Sequence, residues 1–323
     1  MRQLVGAVLG AVSAAALAQA APLPVTPDNF RRAETDTYFA SLAKRGGLGS
    51  FVHRRDPTHD TLYSEAVFDL DAGPVTITLP DAGKRFLSLT TIDQDHYVRS
   101  VSYDKGSHTL DRRRIGTRYA FAALRVFADP GSEEDLKQAR ALQDAAAVKA
   151  KSAGKLELPS WDPASHKKVR EALLALGATL PELRRAFGAK DQVDPVRHLI
   201  GTALAWGSNP DKDVLATSVT PALNDGKVVY RMHVPASVPV DAFWSVAVGG
   251  ASINSFTAKK SGDGSVEIQF GRCGTSTPNC LPTTSGWSYE VRLYRPKPEA
   301  LDGKWAFPPA VQRGDGLGRG LRG

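Results

Sequence analysis

The chain of 323 residues has only two cysteines, Cys273 and Cys280. A thiolate metal centre would need further ligands near them, and the Gly- and Pro-containing segment between them supplies none, so no metal is expected on the cysteines. The leading reading is a disulfide closing a short turn-rich loop in an oxidising compartment. Long apolar runs are scarce as well. Beyond Leu4–Ala18 no stretch approaches the roughly 18 continuous apolar residues of a membrane span, so no transmembrane anchor is expected. Catalytic signatures are missing too: no Gly-x-Ser-x-Gly elbow, no His-Glu-x-x-His, no phosphate loop and no dinucleotide fingerprint. That lowers the case for the familiar hydrolases and nicotinamide enzymes, and no cofactor is expected. Excess negative charge is absent; the net charge is +7. The basic residues fall in short groups such as Arg112–Arg114 and Lys259–Lys260, without interleaved aromatics. They read as a solvated surface, and no nucleic-acid partner is expected.

What is present begins with an address. Arg2 precedes the apolar run, and small residues then surround Gln19 before Pro22, the pattern of a secretory signal peptide over residues 1–21 cut after Ala18, Ala20 or Ala21. The mature chain is expected to be soluble and periplasmic or secreted.

The stretch from Asp60 to Tyr103 reads as three successive strands. Leu62, Ala66, Phe68 and Leu70 alternate with Tyr63, Glu65, Val67 and Asp69; Ala72-Gly73-Pro74 turns into Val75–Leu79; Pro80–Gly83 turns into Phe86–Ile92. Before it, a helix starts near Thr26-Pro27-Asp28 and stops at Gly46-Gly47. After it, Arg118–Phe127 is apolar on both faces, as a central strand would be. Ser132 followed by Asp135 resembles a helix cap, Asp162-Pro163 and Asp194-Pro195 open two further helices, and Pro181–Phe187 predicts a shorter one. Strand patterns return from Val214, with Asn224–Lys227 as a hairpin turn into Val228–Val234 and Trp287–Tyr294 as the last clear strand. The tail from Gln312 is rich in Gly and Arg and is expected to be disordered.

These segments are similar to a known pairing. Asn29–Phe39, Asp60-Thr61-Leu62-Tyr63-Ser64, Thr78-Leu79-Pro80-Asp81 and Asp95-His96-Tyr97 resemble the uncharacterised DUF1254 domain. Asp241-Ala242-Phe243-Trp244, Ile253-Asn254-Ser255, Asn279-Cys280-Leu281-Pro282, Arg292–Pro296 and Asp302–Trp305 resemble its usual companion, DUF1214. The resemblance implies a mainly β chain with a helical insert: an N-terminal immunoglobulin-like β-sandwich over 22–131 with its leading helix, a helical segment over 132–210, a C-terminal jelly-roll-like sandwich over 211–311, and the tail 312–323. It brings no assigned activity. Two connections are shorter than in the family, Asp56–His59 and Gly249–Ala251, which implies a wider, altered or non-functional pocket if those loops line one.

For chemistry the sequence offers two readings. In the first, the junction of the sandwiches holds a small-molecule ligand without turnover, with Arg54, Tyr63, Tyr97, Arg99 and Trp206 as candidate contacts. In the second, a hydrolase-like or lyase-like enzyme uses His59, Asp60, Asp95 and His96, with His53 and Asp93 nearby, as proton-transfer groups or as ligands of a divalent metal, though no pair has the tight spacing of a metal motif. The bland alternative is that these His and Asp residues cap turns and strand ends. Trp244 and Trp287 sit in strand patterns and read as core, whereas Trp206, at a helix end before Gly207-Ser208, reads as facing a cleft.

Overall fold

The computed structural model describes residues 21–312. The segment read as a signal peptide lies outside them except for Ala21, and so does the tail beyond Gln312.

A helix, α1 (Phe30–Lys44), leads into β1 (Val52–Thr58), β2 (Thr61–Asp69), β3 (Val75–Leu79), β4 (Leu87–Asp93), β5 (Val98–Ser102) and β6 (Gly106–Leu110), then a one-turn helix α2 (Arg112–Ile115) and β7 (Tyr119–Phe127). After α3 (Glu133–Ala145) comes β8 (Ala147–Ala150). These strands form a five-stranded sheet in the order β1-β2-β7-β4-β5, facing a three-stranded sheet in the order β6-β3-β8. The three expected strands are present, but they do not pair with one another. β2 and β4 both pair with β7, and β3 lies in the opposite sheet. A single 3-10 turn at Leu70–Ala72, with Asp69 accepting from the Asp71 amide, carries the chain between layers. Arg118 then grips both Asp69 oxygens at 3.0 Å and pins the start of β7 beside the end of β2. Alternation marks a strand without naming its neighbour.

β7 is central and buried along its whole length, as its composition predicts. One face, with Ala122, Leu124 and Val126, packs with the smaller sheet and α3. The other, with Tyr119, Phe121 and Ala123, packs with Phe39 and Leu42 of α1 and, less deeply, Trp206.

The block expected to be helical from 132 to 210 is only partly so. Ser132 caps α3 by accepting from the Asp135 amide, yet α3 and β8 complete the first sandwich. The Asp162 and Asp194 side chains cap α4 (Pro163–Gly177) and α5 (Pro195–Leu204). Pro181–Phe187 forms turns instead of the predicted helix. Arg185 sits at φ 60°, a left-handed conformation a helix does not accept, and its amide donates to Asp211 while its carbonyl accepts from the Asp194 amide.

The second sandwich contains β9 (Val214–Val219), β10 (Tyr230–Val234), β11 (Trp244–Val248), β12 (Ala251–Asn254), β13 (Val266–Phe270), β14 (Cys280–Leu281) and β15 (Tyr289–Tyr294), followed by the short α6 (Pro298–Leu301) and β16 (Val311–Gln312). Its sheets run β14-β13-β10-β16 and β12-β11-β15-β9. Asn224–Lys227 is a turn but not a hairpin, because β9 and β10 belong to opposite sheets. Trp244 and Trp287 are buried in the shared core, and Cys273 and Cys280 form the disulfide.

The sandwiches meet through an aromatic knot. Phe243 stacks on Tyr294 at 4.0 Å, and Phe86 and Phe127 approach it edge-on. Beside the knot, the buried Asp60 accepts from Ser252 and Asn254 at 2.7 and 2.8 Å.

Candidate functional site

A cavity of about 690 Å³ lies where the larger sheet of the first sandwich, the 180–209 segment and the β9–β15 face of the second sandwich come together. Its first wall follows from strand alternation. In β1, β2 and β7, Arg54, Tyr63 and Arg125 are direct cross-strand neighbours, so three side chains project in one row. Glu65 and Ala123 form the next matching pair on that face, with Tyr38 of α1 donating to Glu65 at 2.8 Å. Glu290, Arg292 and Tyr294 of β15 supply the facing wall. Phe121, Trp206, Leu180, Leu183 and Leu204 give the cavity its apolar surface.

Arg125 is the one charged residue in an otherwise uncharged strand and is 7% exposed. Its guanidinium donates to Thr90 Oγ1 at 2.8 Å, to Asn209 Oδ1 at 3.2 Å and to the Gly207 carbonyl at 2.6 Å, and lies over the Tyr63 ring at 5.3 Å. Burial opposes ionisation of the Tyr63 phenol, but the Arg125 charge, the neighbouring Thr61 hydroxyl and the Arg292 charge together outweigh it and hold the phenol below its usual range. Tyr294 moves the other way, pushed up by burial and by the nearby Tyr63 and Asp60. One phenolate beside another is disfavoured, so the pair divides into a more acidic Tyr63 and a less acidic Tyr294.

The structure sorts the residues singled out in the sequence. Arg54, Tyr63 and Trp206 line the cavity. Trp206 stacks on Tyr38 at 4.0 Å and donates to Thr35 at 3.0 Å. Tyr97 and Arg99 sit elsewhere: Tyr97 stacks on His198 at 4.5 Å, and Arg99 donates to the Arg114 carbonyl. His59 lies at the sandwich junction. Its Nε2 is 2.9 Å from the Gly249 carbonyl and must donate, which leaves Nδ1 to accept from Arg292 at 3.0 Å. Of the stretch Asp56–His59, expected to be a connection, Asp56–Thr58 belong to β1, and the β1–β2 turn at His59 touches the β11–β12 turn at Gly249.

His96 is 1% exposed. Its Nε2 accepts from the Gly207 amide at 2.9 Å, so Nδ1 carries the proton and donates to Thr202 Oγ1, which in turn donates to the His198 carbonyl. Burial, with His198 and Arg31 nearby, holds this imidazole neutral, its protonation pushed well below the ordinary histidine range. His96 thus fixes the Gly207 loop whose carbonyl receives Arg125. Asp95 is turned to Arg32, at 2.8 Å. Among the described residues, the imidazole–carboxylate pairs are His166–Glu34 and His233–Glu267, and neither lines the cavity. No group of three or more His, Cys, Asp or Glu side chains is placed to hold a metal ion among the described residues.

Sequence reasoning passed over Arg125, Arg292 and Tyr294. For Arg125 a signal existed: a lone arginine in Tyr-Ala-Phe-Ala-Ala-Leu-Arg-Val-Phe is a buried charge, and buried charges have partners or purposes. Arg292 and Tyr294 carry no such mark, since they alternate as the residues of any half-exposed strand do.

Comparisons with known proteins agree with this architecture. Of the curated proteins, none matches. Among solved structures, the VPA0106 protein from Vibrio parahaemolyticus is similar at 16% identity with a TM-score of 0.69, covering 88% of this chain and 98% of that one. An uncharacterized protein from Burkholderia cenocepacia is similar at 11% identity and a TM-score of 0.50, covering 88% of each chain. At these identities the likeness is one of fold. The model described as "Protein of unknown function (DUF1254)" matches residues 51–110, and that described as "Protein of unknown function (DUF1214)" matches residues 220–298. The first match falls in the N-terminal sandwich and the second in the C-terminal one, so the chain carries a DUF1254 region followed by a DUF1214 region.

Proposed function

We propose that this protein is exported, to the periplasm or beyond, and holds a small ligand in the cavity between its sandwiches without turning it over. The observation that carries the reading is the cavity itself: about 690 Å³, walled by both sandwiches and the 180–209 segment, with apolar side chains and a few polar groups at fixed positions. Ligand sites have this size and this mixed lining. Support for binding over turnover comes from the neutral, fully engaged His96 and from the placement of both imidazole–carboxylate pairs outside the cavity. The apolar run at the N-terminus supports export.

Native mass spectrometry and elemental analysis of the protein purified from its own cell envelope test the ligand, and fractionation of the same cells tests the address. The expected result is a small molecule in stoichiometric amount, displaced in a Leu204→Trp variant that fills the cavity. A protein recovered from the cytosol with its N-terminal segment intact would refute export. Retention of the same molecule by the filled variant would refute the cavity as its site.

A further inference from the structure

Four arginines line the cavity, and two of them are already matched. Arg292 lies 2.8 Å from Glu290 through both Nε and Nη2, and Arg184 lies 3.8 Å from Glu182. Arg54 and Arg125 meet no carboxylate among the described residues, and they flank Tyr63 in a single cross-strand row.

Arg125 is the more telling of the two. Placing a guanidinium where 7% of its surface remains exposed is costly unless a counter-charge compensates it. Its three hydrogen bonds run to neutral oxygens of Thr90, Asn209 and Gly207. A guanidinium has five N–H donors, so two are not engaged by these partners, and a pair of donors is what a carboxylate takes up. Arg54, exposed at the edge of the same row, adds a second positive group across Tyr63. Strands sit about 4.8 Å apart, so the two arginine backbones are roughly 10 Å from each other, and long side chains from both can converge on one anionic head. The acids of the lining are engaged elsewhere, Glu182 and Glu290 with Arg184 and Arg292, Glu65 with Tyr38 and Asp211 with the Arg185 amide, and the apolar part of the lining is suited to something else. Trp206, Phe121, Leu180, Leu183 and Leu204 would cover an apolar body several carbons long.

Resting on the reading of this cavity as a ligand site, we infer that the ligand is an organic carboxylate with an apolar or aromatic body, its head received by the Arg54–Tyr63–Arg125 row and its body by the Trp206 side of the cavity.

The test uses the full mature protein, titrated calorimetrically with cinnamate and decanoate, with their neutral counterparts cinnamamide and decanamide, and with acetate and inorganic phosphate. The expected result is that the two long carboxylates bind at least 10-fold more tightly than their amides, that acetate and phosphate bind far more weakly, and that Leu204→Trp abolishes binding. Arg54→Ala alters an exposed side chain and leaves the fold intact; it should weaken the carboxylates several-fold and leave the amides unchanged. A second readout is the Tyr63 phenol, whose ionisation should shift to higher pH when a carboxylate offsets the arginine field. Equal binding of acids and amides, lost together in Leu204→Trp, would overturn the inference and leave the cavity reading standing. Tight binding of phosphate alone would overturn the carboxylate assignment. Acid-selective binding untouched by Leu204→Trp, or binding of no probe at all, would sink both.

Discussion

Asp93 ends β4 and organises the turn that places His96. Its Oδ1 accepts from the amides of Asp95 and Tyr97 at 2.9 and 3.0 Å, and its side chain is 6% exposed. Burial, resisted by the Tyr97 amide and the distant Arg99 guanidinium and reinforced by Asp95, raises its pKa from an ordinary 3.8 to about 6. A carboxyl whose pKa is raised by folding binds its proton more tightly in the native state. Its contribution is therefore fully present below pH 4 and is lost as pH rises through about 6. The size follows from about 1.4 kcal/mol for each pH unit, on the order of 3 kcal/mol across the window. In Asp93→Asn the amide oxygen can keep both backbone hydrogen bonds, and the titration disappears. The buried His96 and His198 impose the opposite slope, since both are held neutral and stability falls with pH below about 6.5, but they are common to both proteins and cancel in the difference. Urea unfolding of the wild type and Asp93→Asn at several values between pH 4 and 7 should show the variant gaining about 3 kcal/mol relative to the wild type as pH rises. Parallel profiles, or a wild type that gains instead, would refute the assignment of the raised carboxyl to Asp93.

Three further outcomes are expected. Phe243→Ala empties the centre of the aromatic knot and should cost about 3–5 kcal/mol, splitting one calorimetric unfolding transition into two as the sandwiches uncouple; a single unshifted transition would refute the knot as the coupling element. Cys273→Ser with Cys280→Ser opens a loop seven residues apart in sequence and should destabilise by about 2–3 kcal/mol, with loss confined to the C-terminal sandwich by hydrogen exchange; loss spread over both sandwiches would contradict its local role. Ultraviolet difference titration should detect a phenol ionising below the ordinary tyrosine range, absent in Tyr63→Phe and retained in Tyr294→Phe; the reverse pattern would invert the assignment of the pair.

The legible parts of this fold were those governed by local rules. The Ser132, Asp162 and Asp194 caps fix three helix starts, and the doubly apolar run of β7 announces a central strand. Partnership was not legible. Nothing local in Val75–Leu79 says that it crosses to the other sheet, because that choice is made by the Leu70–Ala72 turn and the Arg118–Asp69 clasp, whose partners lie 49 residues apart. Site chemistry divided in the same way. Trp206 was legible from its place at a helix end. The wall opposite it depends on β15, more than 80 residues further along, and a charge in a buried strand shows its purpose only once its neighbours are known.

The touching tips at His59 and Gly249 have a consequence for how such proteins diversify. Each tip joins two antiparallel neighbours, so residues can be added there without changing the register of β1–β2 or β11–β12. Arg292 reaches from the cavity wall to His59 and so ties that meeting point to the space beside it. Lengthening either tip would reshape one end of the chamber while the Arg54–Tyr63–Arg125 row, set by strand pairing, stayed where it is. Selectivity for the ligand body and affinity for its head could then change independently, on separate parts of one scaffold.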